Sequence, residues 1–415
     1  MSSPRRLRLF EAFGIELEYM IVDSESLDVR PVADELLRSA LGVYGADYEN
    51  GPIAWSNELA LHVVELKTNG PAQALCPLPS LFADNVGRIN TLLEPLGCRL
   101  LPTAMHPWME PDREFKLWPH DDSPIYEAYN RIFDCRGHGW ANLQSMHINL
   151  PFADDAEFAR LHAAIRLALP LLPALAASSP IIDGRATGLL DNRMEVYRGN
   201  SRRVPSVAGR VIPEQAFSQE EYRQQIFRPM YAEIASLDPQ GILQDEFLNS
   251  RGAIARFSRN TIEIRVLDVQ ECPAADLAVA ELIVGLLKLL TAEHWTDAAA
   301  QQAVAIEPLE AVLLSAIRDA DEAVVSDPDY LRHFGISNGP ITIGDLWKHV
   351  FNDVETQLAP LNTQSRSCLD VILDNGPLAR RILAALGLSR SRQQLSETYR
   401  RLADCLRDNR IFKGA

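Results

Sequence analysis

The sequence predicts an α+β fold, with an antiparallel sheet covered by helices on one face, open on the other, and followed by a C-terminal helical region. Three observations lead there. Four extended segments, three of them alternating apolar with polar residues, are separated by Ala/Leu-rich helical stretches, and beyond about residue 300 only helical periodicity remains.

Residues 13–22 (FGIELEYMIV) read as the first strand, with Phe13, Ile15, Leu17 and Tyr19 on one face and Glu16 and Glu18 on the other. A second extended segment lies within residues 57–66. Residues 143–150 (LQSMHINL) set Met146, Ile148 and Leu150 against Ser145, His147 and Asn149. Residues 261–269 (TIEIRVLDV) set Ile262, Ile264 and Val266 against Glu263 and Arg265. Among the helical stretches, 78–96 carries spaced apolar residues, with Pro79 near its start. The stretch 157–177 is expected to break at Pro170 and Pro173. Residues 275–290 are apolar almost all round and should be buried. Amphipathic stretches at 309–323, 343–358 and 391–406 complete the chain, and no repeat recurs at a fixed period. This divides the chain into an expected core over residues 1–300 and a helical region over 301–415.

The formal net charge is −16, from 56 acidic and 40 basic side chains. So acidic a surface repels phosphate backbones and anionic lipid, which argues against nucleic-acid or membrane partners. ATP stays open, because divalent cations can sit between carboxylates and phosphates. The six cysteines are scattered singly, with no C-x-x-C pair, as free thiols in a reducing cytosol would be. The opening MSSPRRLRLF lacks an apolar h-region, so no signal peptide and a cytoplasmic location are expected. Residues 282–290 are short and contain Lys288, which fits a buried helix rather than a membrane span.

The bland account of an alternating strand is that its polar face meets water. The residue types argue otherwise. Glu is depleted in strands, yet Glu16 and Glu18 share one face with no Lys or Arg in that segment. Two such carboxylates repel unless one is protonated or a cation lies between them, and hard oxygen ligands suit magnesium or manganese. Glu58 and Glu65 bracket the next extended segment. Their spacing of seven would put them on opposite faces of a regular strand, so either Glu58 precedes the strand or a bulge intervenes. His147 adds a nitrogen to a polar strand face, as a hydrogen-bonding partner or a ligand. Glu263 and Arg265 form either an ion pair or a metal-and-phosphate pair. The segment 192–210 reads as a loop that concentrates Arg193, Arg198, Arg202, Arg203 and Arg210. It is either a solvated basic loop or a loop that binds a substrate carboxylate or phosphates. P-loop, dinucleotide, zinc-protease and serine-hydrolase motifs are absent.

At this point the residues resemble a known family. FGIELEYMIVD is similar to the G-x-E-x-E opening strand of the glutamate–cysteine ligases and their carboxylate–amine ligase relatives. ELALHVVELKTNGP resembles that family's next element with its V-E-L-x-T ending, LPTAMHPW its Gly-Thr-His-Pro loop, and SMHINLPF its paired-histidine strand. ALAASSPIIDGRATGLLDNRMEVYR resembles its A-x-S-P segment, and RNTIEIRVLDVQECPAADLAVAELI its closing E-x-R-x-x-D strand. The matches keep the family's order over about residues 10–290.

The resemblance implies a curved antiparallel sheet of glutamine synthetase type, whose concave face holds magnesium, ATP and substrates and whose outer face carries helices. Position by position it implies Glu16, Glu18, Glu58, Glu65, His147 and Glu263 as metal ligands or their near neighbours. Glu263, Arg265 and Arg198 would be catalytic, with His106, Asn149, Arg198 and Arg265 binding substrate or ATP. Arg202 and Arg210 join the candidate substrate- or ATP-binding set from the reading of 192–210 as an anion-binding loop, not from the resemblance. The chain departs from the pattern at Asn149, where a second histidine is usual, and at Met105, where threonine is usual. Both departures bear on the acceptor.

The implied reaction joins a carboxylate, by default glutamate, to an amine through an acyl-phosphate made from ATP. The acceptor is left open among cysteine, other amino acids, small amines and a peptide amino terminus. A guanidino-kinase-like phosphotransferase and a catalytically silent binding relative are the competing expectations. The C-terminal helices are expected to cover the site or to mediate self-association.

Overall fold

The computed structural model describes residues 5–387 and 390–414; the first four residues of the N-terminal stretch read above lie outside them. Twelve strands are described. In chain order the first six are β1 (Gly14–Asp23), β2 (Asp47–Asn50), β3 (Ile53–Asn57), β4 (Val63–Thr68), β5 (Cys98–Leu101) and β6 (Ser145–Pro151). A small ribbon, β7 (Ile181–Ile182) and β8 (Arg185–Ala186), precedes β9 (Ala253–Arg256) and β10 (Thr261–Asp268). A second ribbon pairs β11 (Val324–Val325) with β12 (Ile341–Thr342).

The main sheet runs β2-β3-β4-β1-β6-β10-β9, with β5 beside the far end of β1. Every pairing in it is antiparallel. The apolar row of β1, Ile15, Leu17, Tyr19 and Ile21, is fully buried in one core with the helices Leu78–Leu93, Asp155–Ala168 and Pro273–Thr291. Proline acts as expected on the second of these. It ends at Ala168, a 3₁₀ turn Leu169–Leu171 follows, and a short helix resumes at Pro173. The helix Pro273–Thr291 starts with proline in its first turn and is buried along almost all its length. No described helix is long and apolar enough to cross a membrane. All six cysteines are free, and only Cys76 is exposed.

Three details differ from the sequence expectation. First, the region after residue 300 is not purely helical, because the β11–β12 ribbon interrupts it. Second, the basic segment 192–210 is not all loop. It opens with a helix, Asn192–Tyr197, whose first turn is capped by Asp191 accepting from Met194 N at 2.8 Å. Third, the face of β1 opposite the main core is open only in part. Its far end, Met20 and Val22, packs under the helices Leu378–Leu386 and Arg392–Arg407. The second of these helices starts in a capping box made by Ser391 and Gln394. Other C-terminal helices join the main core: Trp347 donates from Nε1 to Leu171 O at 2.9 Å, and Tyr330 OH to Leu167 O at 2.6 Å. The uncovered half of the sheet, around Glu16 and Glu18, is left as a cleft.

Candidate active site

Antiparallel register sets the candidate residues in adjoining rows. Glu16 of β1 lies opposite Lys67 of β4 on one side and His147 of β6 on the other. Two residues on, Glu18 lies opposite Glu65, and beyond Glu65 stands Ser56 of β3. Glu263 of β10 is opposite Asn149 of β6. Directly paired residues share a face, so all of these project from the face away from the main core. The seven-residue step from Glu58 to Glu65 now has its reason. Glu58 follows β3 and Glu65 lies in β4, so a hairpin connection separates them rather than one continuous strand.

His147 is the hub. Its Nδ1 is 2.8 Å from Glu16 Oε2 and 3.8 Å from Glu263 Oε1, while its Nε2 is 2.9 Å from Ser145 Oγ and 3.8 Å from Glu18 Oε1. Glu18 Oε2 accepts from Ser145 N at 2.7 Å and from its hydroxyl at 3.0 Å. Asn149 Nδ2 donates to Glu16 Oε1 at 3.0 Å. Glu65 accepts from Ser56 Oγ at 2.6 Å and pairs with Lys67 at 3.3 Å.

So many acids so close disturb one another. Burial alone would raise the Glu16 carboxyl, but the hydrogen bond and charge of His147, with Arg265 and Lys67, bring it down to about 2. Burial would likewise lower His147, yet Glu16, Glu18 and Glu263 hold it up to about 9. Glu65 is pushed up to about 7 by burial and by Glu16, against Lys67 and Ser56. Glu58 is pushed well above the usual carboxylate range by burial, Glu18 and Glu65. Protons thus stabilise this cluster, and a divalent cation would do so more strongly, holding the carboxylates ionised and the imidazole neutral. The residues fit one. Glu16, His147 and Glu263 offer ligand atoms within 4.8 Å of one another, as do Glu18, Glu65 and His147. Carboxylate-dominated sites with one imidazole suit magnesium or manganese better than soft metals.

The cleft these residues floor has a volume of about 530 Å³. Its β9–β10 side is basic. Glu263 binds Arg256 Nη1 at 3.1 Å, and Arg265 Nε lies 3.0 Å away in ion-pair contact, off the hydrogen-bonding direction. That carboxylate fixes both guanidiniums over the cleft. A bulge in β10 between Ile264 and Leu267 frees the carbonyl of Arg265, which accepts from Arg193 Nη2 at 2.9 Å; Arg193 is itself buried beside Asp268. The other wall is aromatic, from Tyr126, Tyr129, Trp140 and Tyr197. Trp140 Nε1 and Tyr197 OH are buried atoms in that wall without hydrogen-bond partners among the described residues.

The structure therefore gathers Glu16, Glu18, Glu58, Glu65, His147, Glu263 and Arg265 into one cleft. Asn149 is at its edge, lining a second cavity. The remaining candidates lie elsewhere. His106 is fully buried, with Nε2 2.7 Å from Leu27 O. Arg198 pairs with Glu195, and Arg210 with Glu307 and Glu310, at the exposed surface. Arg202 is exposed and is not among the residues lining the cleft. The cleft takes its cations instead from Lys67, Arg193, Arg256, Arg259 and Arg265. Lys67 was legible as the same-face neighbour of Glu65. Arg256 and Arg259 carry no signal before β9 and β10 are known to pair.

Comparisons with known proteins show the family and the fold. The profile of glutamate–cysteine ligase family 2 matches residues 12–398, taking in most of the C-terminal helices. An uncharacterised protein of Archaeoglobus fulgidus is 36% identical over 275 residues, covering 66% of this chain and 73% of that one. A Bradyrhizobium diazoefficiens protein named provisionally as a glutamate–cysteine ligase 2 is 26% identical over 353 residues, covering 85% and 74%. Among solved structures, the Francisella tularensis glutamate–cysteine ligase in complex with AMP shares the fold, with TM-score 0.59 at 14% identity over 97% of this chain and 90% of that one. A bifunctional glutathione synthetase of Pasteurella multocida gives TM-score 0.57 at 13% identity, with 95% of this chain and 52% of that one covered.

Proposed function

The chain belongs to glutamate–cysteine ligase family 2, and from that premise we propose that it is an ATP- and magnesium-dependent ligase that forms an amide between a carboxylate and an amine. The observation that carries this reading is the convergence of five carboxylates and one histidine, from β1, β4, β6, β10 and the turn after β3, on a cleft that Lys67, Arg256, Arg259 and Arg265 also line. The Francisella ligase of the same fold, solved with AMP, supports the nucleotide part.

A substrate carboxylate, by resemblance that of glutamate, attacks the γ-phosphorus of ATP. An O–P bond forms, the bond to ADP breaks, and an acyl-phosphate results. The acceptor amine then attacks the acyl carbon and expels phosphate. Glu16, Glu18, Glu58, Glu65, His147 and Glu263 would hold magnesium, which supplies charge neutralisation on the phosphoryl oxygens. Arg256 and Arg265, braced by Glu263, present guanidiniums to anionic oxygens without reorganising. The aromatic wall keeps water from the acyl-phosphate. No protein nucleophile is required. We also infer that residues 1–300 form the catalytic core and that 301–415 brace it. The unpaired cysteines support a cytosolic setting.

The test is magnesium-dependent ADP release, with glutamate alone and then with pooled amino acids, amines and peptides, and with amide product identified by mass. Glu16→Gln and Glu263→Gln should lose at least about a hundredfold in turnover, the scale of removing one electrostatic contact to a transition state, while keeping the folded circular-dichroism spectrum. A phosphorylated substrate without amide would favour a phosphotransferase. A fully active double variant would sink the site assignment.

A further inference from the structure

Beside the cleft lies a second cavity of about 520 Å³, at the start of β1 and the end of β4. Three residues line both spaces: Glu16, Lys67 and Arg259. The two spaces adjoin at these three side chains. Neither cation belongs to the set that the family resemblance assigns. Lys67 occupies the unspecified position of the V-E-L-x-T ending, and Arg259 sits in the turn between β9 and β10.

Lys67 is opposite Glu16 in the β1–β4 register. Its Nζ is 2.8 Å from Ser56 Oγ, 3.0 Å from Asp47 and 3.3 Å from Glu65. Those neighbours hold the ammonium on the cleft face. Arg259 makes no ion pair among the described residues, although the chain is strongly acidic. A guanidinium that lines both cavities and has no carboxylate partner among the described residues has its binding capacity unspent. With Glu16 between them, the two cations stand on the β4 and the β9–β10 sides of one passage. An extended polyanion threaded there would meet a positive group on each side, next to the carboxylates that suit its divalent counter-ion.

We propose that Lys67 and Arg259 form a phosphate clamp where the two cavities meet, gripping the polyphosphate of a nucleotide that extends across the junction. The clamp rests on the ligase reading for the identity of that polyanion. Lys67 supplies a point charge that can stay with Asp47 when a metal takes Glu65. Arg259 supplies a fork able to hold two oxygens at once.

The experiment is calorimetric binding of ATP with magnesium, and of adenosine, to the full chain and to Lys67→Met, Arg259→Met and the double variant. Loss of a charge-assisted contact to phosphate should weaken ATP binding about tenfold in each single variant, leave adenosine within about twofold, and be partly restored by Lys67→Arg and Arg259→Lys. Should Lys67→Met lower the melting temperature, Arg259→Met at its exposed turn carries the test alone. ATP affinities within twofold of the parent in folded variants overturn the clamp, as does an equal loss for adenosine. A parent that binds ATP as predicted yet makes no amide would leave the clamp standing and remove the ligase reading. A parent that binds no ATP would remove both.

Discussion

Glu18 and Glu65 stand directly opposite each other across the β1–β4 ladder, and both are buried to 8% exposure. Like charges so placed destabilise a sheet unless something lies between them. Removing that repulsion should therefore stabilise the metal-free protein: Glu18→Gln is expected to unfold at a higher urea concentration than the parent when both are in chelator. Adding magnesium should reverse the order. At about a hundred times its dissociation constant, a bound ion adds about 2.7 kcal/mol to the parent and little to the variant. Urea midpoints with and without magnesium check this; an equal magnesium gain in both would exclude Glu18 as a ligand.

Gly14 faces Asn149 across β1 and β6, and a Cβ at Gly14 would lie 2.9 Å from Asn149 Cβ. That glycine lets Asn149 stay close enough to hold Glu16. Gly14→Ala is expected to cost about 1–3 kcal/mol by overpacking and to lower kcat by displacing Asn149 from Glu16. Adding Asn149→Gly should restore stability without activity. Unchanged stability and kcat in Gly14→Ala would contradict the close approach.

Arg381 and Glu271 form an ion pair at 1% and 0% exposure, 2.5 Å apart, joining the helix Leu378–Leu386 to the segment after β10. Glu271 also accepts from Phe412 N at 2.9 Å, which ties down the segment after the last helix. Arg381→Ala leaves a buried carboxylate without its cation and should cost about 3–5 kcal/mol, whereas Arg381→Met with Glu271→Leu should recover most of it. Urea denaturation of the two variants decides the matter; a loss under about 1 kcal/mol for Arg381→Ala would mean that the pair carries little.

His162 is fully buried, stacked on Phe158 at 5.3 Å, and neither ring nitrogen has a hydrogen-bond partner among the described residues. Burial, with Arg166 nearby, lowers it to about 3, and His62 and His106 are lowered by burial to about 3 and about 4. Their unfolded values lie near 6.5, so the unfolded chain binds more protons below that pH. Stability is thus fully present above about pH 6.5 and declines as pH falls toward the folded values. His162→Phe keeps the ring stack and removes one such group. Between pH 7.5 and 5 it should lose about 2 kcal/mol less than the parent. Denaturation at the two pH values tests this, and identical losses would refute it.

Much of the fold was open to reading because strand and helix periods are local. Ile15, Leu17 and Tyr19 alternate with Glu16 and Glu18 whatever their neighbours, and a helix as apolar as Pro273–Thr291 has only the interior to occupy. The resemblance in the Glu16, His147 and Glu263 segments added the prospect of one shared site.

Their convergence, however, depends on register, which local sequence does not carry. Glu16 meets His147, and Glu18 meets Glu65, only because β1 pairs with β6 and β4 at those offsets, and a shift of one residue would send every ligand to the opposite face. The arginines show the same limit from the other side. Arg198 and Arg210 read as binding residues, but their direction is decided by Glu195, Glu307 and Glu310, which draw them to the surface. Arg256 reaches the cleft through Glu263, to which the β9–β10 pairing delivers it. The sequence by itself determined the residue types and the faces they occupy, since both follow from covalent geometry and solvation. Which charges meet was left to the tertiary structure, because Coulomb energy depends on distances that only long-range pairing sets.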